Sequence, residues 1–323
     1  MNLWMKSLLL GVTAAFLTAC GGSDDTAPPP GTVAEVATSA GFSSLIAAAT
    51  KAELVPALSD ESASLTVFAP TDAAFDALAQ SLGFADATAL VDALDGPTLA
   101  KILSYHVLPT RQDAAALTAG GTTQATLYAF PGTTPATLAV DVTSGVKLTD
   151  AALNQASVTS ADVPARNGVI HVVDRVLVPP GVLNIVQMAQ TNPTFSVLVE
   201  AVAAAKLGGT LSGVGPFTVF APTNDAFVAA LGELGVSKDA LLADPSLPGI
   251  LTYHAVAARL LATDVIALAK PAVVATVQGA SFSVGADLGI TDGRGRVTSL
   301  VATDVIASNG VIHVIDRVLL PPL

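Results

Sequence analysis

The sequence predicts an α+β fold built twice in tandem, and three observations carry that reading. "TVFAPTDAAF" from Thr66 returns as "TVFAPTNDAF" from Thr218, and "LSYHVLP" from Leu103 returns as "LTYHAVA" from Leu251. "NGVIHVVDRVLVPP" from Asn167 returns as "NGVIHVIDRVLLPP" from Asn309. The order is kept while the offset shrinks from 152 to 148 to 142, as expected of two copies of one fold with loops of different length. Within each copy, helical periodicity precedes strand periodicity, which separates α+β from an alternating α/β domain.

The 323 residues suit two domains, each of about 150 residues and able to bury its own core. The expected division is residues 1–19, 20–31, 32–180 and 181–323. In the first segment Lys6 and Ser7 precede the apolar stretch Leu8 to Phe16 and then "LTAC", the form of a short secretory signal. It resembles a bacterial lipoprotein signal, with Leu17, Thr18 and Ala19 before Cys20. That resemblance implies a diacylglyceryl group on the Cys20 sulfur and an acylated amino group. Gly21 after the cysteine permits outer-membrane delivery and leaves open which face the body occupies. Residues 21–31, "GGSDDTAPPPG", have no apolar periodicity and read as a tether, flexible first and stiffer through Pro28, Pro29 and Pro30.

Each domain then opens with apolar residues at helical spacing. These are Val33, Val36 and Ala37, then Phe42, Leu45, Ile46 and Ala49, matched by Ile185, Met188 and Ala189, then Phe195, Leu198, Val199 and Val202. "TVFAPT" reads as a strand stopped by proline, with Thr71 or Thr223 capping the helix that carries Phe75 or Phe227. Asp72 and Asp225 fall in the first turn, where a carboxylate suits the positive helix end. After the Tyr-His pair the period shifts towards two, giving strands around Leu138 to Val142, Val273 to Val277 and Ser281 to Val284. Asn167-Gly168 and Asn309-Gly310 are expected to supply a left-handed turn into the last strand, which the double prolines end.

Hydrophobic residues make up 51% of the chain against 12% charged, yet no apolar run beyond the N-terminus reaches the length of a spanning helix. The net charge of −12 becomes one unit more negative when residues 1–19, with Lys6, are removed. Such a surface repels phosphate, which argues against nucleic acid as a partner. Cys20 is the only cysteine, which rules out an intrachain disulfide and a thiolate metal cluster.

The three boxes, in order and in both copies, resemble the fasciclin family across residues 32–323. The resemblance implies two tandem compact wedges, each of two β-sheets with N-terminal helices packed on them, and a role in adhesion or matrix contact. It implies candidate partner-binding positions at Asp162-Val163 and Asp304-Val305, and at Tyr105-His106 and Tyr253-His254. The flanking "TSADVPA" and "VATDVIA" match the family only in part, so the receptor does not carry over.

Each of these residues also has a structural role to fill. His171 and His313 lie among apolar neighbours, where a partly buried imidazole bonded to backbone serves the fold alone. Asp162 and Asp304 precede a turn, where an aspartate accepts backbone N–H bonds. Tyr105 and Tyr253 suit either a core or an interface. A metal site would require His106 to meet His171, or His254 to meet His313, together with a carboxylate, and no such site is expected. No cofactor is expected either. Nucleophile-elbow, P-loop and dinucleotide glycine patterns are lacking, so the chain is not expected to be an enzyme. The expected function is non-catalytic contact with a protein or glycan at the bacterial envelope or in a biofilm matrix, with the membrane held through Cys20. A carrier of an apolar pigment or lipid, held between sheet and helices, is the alternative. An envelope enzyme, or an accessory to polymer breakdown, stands behind both.

Overall fold

The computed structural model describes residues 30–267 and 271–323. The signal, Cys20 and most of the tether therefore lie outside the described residues. The first helix, Val33–Ser39, starts at a reciprocal cap: Glu35 N–H donates to Thr32 Oγ1, and Thr32 N–H donates to Glu35 Oε2 at 2.8 Å. Asn184 and Gln187 repeat the device at Ile185–Thr191. The next helices, Ser43–Lys51 and Ser196–Ala204, turn Leu45, Ala48 and Ala49, or Leu198, Ala201 and Val202, into the core.

The box strands Leu65–Pro70 and Phe217–Pro222 run parallel to the closing strands Gly168–Val173 and Gly310–Ile315. Phe68 stands opposite His171, and Phe220 opposite His313. In each pair both faces are covered, which is why these segments read as nearly unbroken apolar runs. Val67 and Ala69 pack under the helices while Phe68 packs on the second β layer with Leu138 and Leu148. Val219, Ala221 and Phe220 divide in the same way. Thr71 and Thr223 accept from Ala74 and Ala226 N–H at 3.2 Å, capping Asp72–Ser81 and Asn224–Leu234.

The two copies differ in how their sheets join. In the first, Gln155–Ala165 pairs with Lys147–Thr149 through its first residues and with the closing strand through the rest, so one seven-stranded sheet results. In the second, the chain breaks at Ser299 between Val297–Thr298 and Leu300–Ala307, leaving two four-stranded sheets. Both long strands shift register twice against the closing strand, around Ser160 and Ala302, and these irregularities aim Asp162 and Asp304.

One local reading changes. The Asn-Gly pairs are not left-handed, whereas Asp162 (φ 60°) and Asp304 (φ 58°), a few residues earlier, are. Asn167 instead acts as a clamp, its Oδ1 accepting from Val33 N–H and its Nδ2 donating to Leu58 and Asp60 carbonyls. Asn309 does the same for Ile185, Leu211 and Gly213. Gly168 and Gly310 are required because a Cβ there would strike the Leu65 or Phe217 carbonyl. The Tyr-His pairs end helices: Tyr105 closes Gly96–Tyr105, Tyr253 closes Leu247–Tyr253, and each histidine is the C-cap.

The domains meet along the linker. Gly181 N–H donates to Ile306 O and Ser308 N–H to Leu183 O, laying residues 181–183 against the outer edge of Leu300–Ala307. Ala152 and Val178 of the first domain share an apolar cluster with Leu183, Ile185 and Met188. Asn192 Nδ2 donates to Ala152 O at 2.9 Å across the same seam.

Candidate functional site

The four histidines are fully committed to the backbone, in two opposite tautomers. His106 Nδ1 donates to Ile102 O at 2.7 Å and its Nε2 accepts from Leu177 N–H at 2.8 Å. His254 repeats this with Ile250 and Leu319. On the closing strands the roles reverse: Nε2 of His171 and His313 donates to Gln112 O and Leu260 O, while Nδ1 accepts a long bond from Asp162 or Asp304 N–H. Burial pushes His106 and His254 down to about 4 and lowers His313 as well. His171 Nδ1 also lies 4.0 Å from the Asp162 carboxylate. Among the described residues no three His, Cys, Asp or Glu side chains converge on a metal-sized site.

Tyr105 and Tyr253 are buried and donate to the Thr137 and Ser281 carbonyls at 2.9 Å. Burial raises both hydroxyls above the usual phenol range. Tyr105, His106, Tyr253 and His254, expected as partner contacts, are all buried, and Tyr105 lines a cleft between the domains. The Asp-Val pairs divide. Asp162 is exposed and its Oδ1 accepts from Ala114 N–H, fixing the start of Ala114–Ala119; Val163 is half-buried. Asp304 does the same for Ala262–Ala267 but lies in a cleft between the domains, and Val305 is buried.

Sequence reading passed over a second pair of acids. Asp150 is buried and accepts from the N–H groups of Ala152, Asn154 and Val178, with Asn154 Nδ2 at 3.3 Å. Desolvation outweighs those bonds and pushes its carboxyl up to about 6. Asp292 occupies the matching place, but there Arg296 supplies Nε and Nη2 at 2.9 and 2.7 Å. Desolvation raises Asp292 too, yet its bonds from Leu320, Arg296 and Arg294 prevail and hold it below the ordinary value. The 142-residue offset aligns the two acids, and that alignment is the signal that could have found them.

The apolar gaps between helices and sheet hold about 30 Å³ in each domain, room for about one water. Larger clefts lie elsewhere: about 370 Å³ between the domains, and about 450 Å³ over residues 212–216, with Arg259 lining both.

Two adjacent α+β domains, whose repeated polar residues are committed to their own backbone, make up a scaffold that presents loops and clefts. Residues 40–179 and 193–321 match the Fasciclin domain, and the chain belongs to that family. Proteins of this family are generally non-catalytic adhesion or interaction proteins. Protein sll1483 of Synechocystis sp. is 44% identical over 145 residues, 44% of this chain and 75% of that protein. Transforming growth factor-beta-induced protein ig-h3 of Sus scrofa is 34% identical over 172 residues, 52% of this chain but only 24% of that protein. A solved FAS1 domain pair from the insect cell adhesion molecule Fasciclin I is 18% identical, with 88% of this chain and 95% of that one covered, at a TM-score of 0.45. Among the described residues no helix is long and apolar enough to cross a membrane.

Proposed function

We propose that the protein is a lipid-anchored, non-catalytic interaction protein of the bacterial envelope, held through Cys20 and contacting a protein or glycan with its fasciclin domains. One observation carries the non-catalytic part. The histidines and aspartates repeated in both domains, the natural candidates for chemistry, are all bonded to backbone groups. The contact surface of this reading is the Asp162 loop, exposed and held rigid by its bond to Ala114. Asp304 is turned towards the neighbouring domain, so the two loops serve unequally. The form of residues 1–20 supports the anchor.

The test uses cells carrying the full chain and a Cys20→Ala variant. Cleavage of the body by added protease on intact cells, together with release of the variant from the membrane fraction, is the expected result. Protection until lysis would overturn surface contact, and a variant that stays with the membrane would overturn the anchor.

A further inference from the structure

The second domain carries an arginine that the fold no longer uses. In the first domain Arg111 Nη1 donates to Gly168 O at 2.7 Å and reaches Ala165 O at 3.4 Å, tying the segment after Val107–Leu108 to the closing hairpin. Arg259 stands at the same place in the repeat, 148 residues on. Among the described residues it makes no hydrogen bond or ion pair, and it is exposed. The surroundings have changed with it. Arg166 and Glu61 form an ion pair beside Asn167 in the first domain, whereas Ser308 and Gly213 stand at those positions in the second. There the surface opens into the cleft of about 450 Å³.

Arg259 also borders the interdomain cleft of about 370 Å³, whose walls include Phe130, Pro131, Pro180, Leu261 and Ile306. That volume lies within the range of small-ligand sites, which favour domain interfaces and apolar walls with a few polar groups. A guanidinium with no protein partner offers a planar fork suited to one carboxylate, and neighbouring apolar walls strengthen the pairing by excluding water. Asp304 on the same cleft and the chain's net charge of −12 oppose a second negative charge on the ligand.

We propose that the interdomain cleft binds a small amphipathic monocarboxylate, its carboxylate on Arg259 and its apolar body among Phe130, Pro180 and Ile306. The site is asymmetric: it uses the first domain's linker and the second domain's freed arginine, so neither domain contains it alone. It does not rest on the adhesion reading, because ligand binding is measured in solution without membrane or partner.

Isothermal titration of the two-domain protein with decanoate, decanol and decanedioate tests it. Decanoate is expected to bind, and decanol and decanedioate to bind about tenfold more weakly or worse, from loss of the charged bond and from repulsion respectively. Arg259→Gln removes a side chain with no intramolecular bond, so its melting temperature should match the parent while its decanoate affinity falls to the level of decanol. Decanoate affinity unchanged by Arg259→Gln would overturn the proposal. So would equal binding of decanol, or no heat at about 10 mM decanoate, a level that saturates any millimolar site.

Discussion

The Leu177 backbone N–H donates to Nε2 of His106 at 2.8 Å, and this bond joins the end of a helix to the chain leaving the closing strand. Since Nδ1 already donates to Ile102, the ring can accept a second proton only by breaking the bond to Leu177. Leu319 places the same condition on His254. Both rings are buried and neutral, so the fold has a built-in dependence on pH.

Stability should rise with pH between about 4 and 6.5. The unfolded histidines titrate near 6.5 while folded His106 and His254 titrate at about 4, so the unfolded chain binds more protons across that window. His313 is lowered and acts in the same direction. Asp150 opposes them: raised to about 6, it binds more protons when folded, and its contribution falls as pH rises from its unfolded value. With about 3 kcal/mol for each of the two histidines and a similar loss for Asp150, the net gain is about 3 kcal/mol. Urea midpoints collected across this range would contradict the account if they stayed level or fell.

Opposite tautomers are expected in the two histidine classes. Long-range nitrogen–proton correlation spectra should place the proton on Nδ1 in His106 and His254 and on Nε2 in His171 and His313. His171→Gln leaves the Asp162 N–H or the Gln112 carbonyl without its partner, a loss of about 1 to 3 kcal/mol. Identical tautomers in all four rings would refute the hydrogen-bond assignment.

What was legible in the sequence was local. Pro70 and Thr71 announce a strand stop and a helix cap within a few residues, and both sit as read. What was not legible depends on distant partners. The Asn-Gly pair invites a turn reading, but Gly168 is demanded by the carbonyl of Leu65, about a hundred residues earlier. Tyr105 and His106 resemble surface contacts until the Thr137 carbonyl and Leu177 N–H are brought to them. The cleft at Arg259 had no sequence signature, because its walls come from both copies.

Asp162 should tolerate asparagine and resist alanine. Its φ of 60° is left-handed, a region that Asn and Asp enter more readily than other side-chain-bearing residues, and its Oδ1 accepts from the first N–H of Ala114–Ala119, beside the N-cap Asp113. Asp162→Asn keeps an accepting oxygen and the conformation, with an expected change below about 0.5 kcal/mol. Asp162→Ala loses the acceptor and adds backbone strain, costing about 2 kcal/mol. Chemical denaturation of the two variants separates the cases, and equal losses would show that the carboxylate's charge, rather than its accepting oxygen, matters.

Arg296→Met should turn the second domain's acid site into a copy of the first. Arg296 gives Asp292 two side-chain donors and also bonds Val318 O and Glu233, so its removal leaves the buried carboxylate with the backbone donors of Arg294, Leu320 and residue 296. That resembles the environment of Asp150, where desolvation prevails. Breaking a buried pair by removing one partner costs about 3 kcal/mol, and the surviving backbone bonds keep the loss near that value. The sign of the pH effect follows. In the variant folded Asp292 should hold its proton above the unfolded value, so the penalty is full at neutral pH and shrinks on acidification as the carboxyl becomes neutral. In the first domain Asn154 stands at the place of Arg296 and meets Thr191 of the second domain at 3.4 Å. Urea unfolding of parent and variant at neutral and acid pH measures both parts, and a penalty that grew on acidification would reverse the assigned role of Arg296.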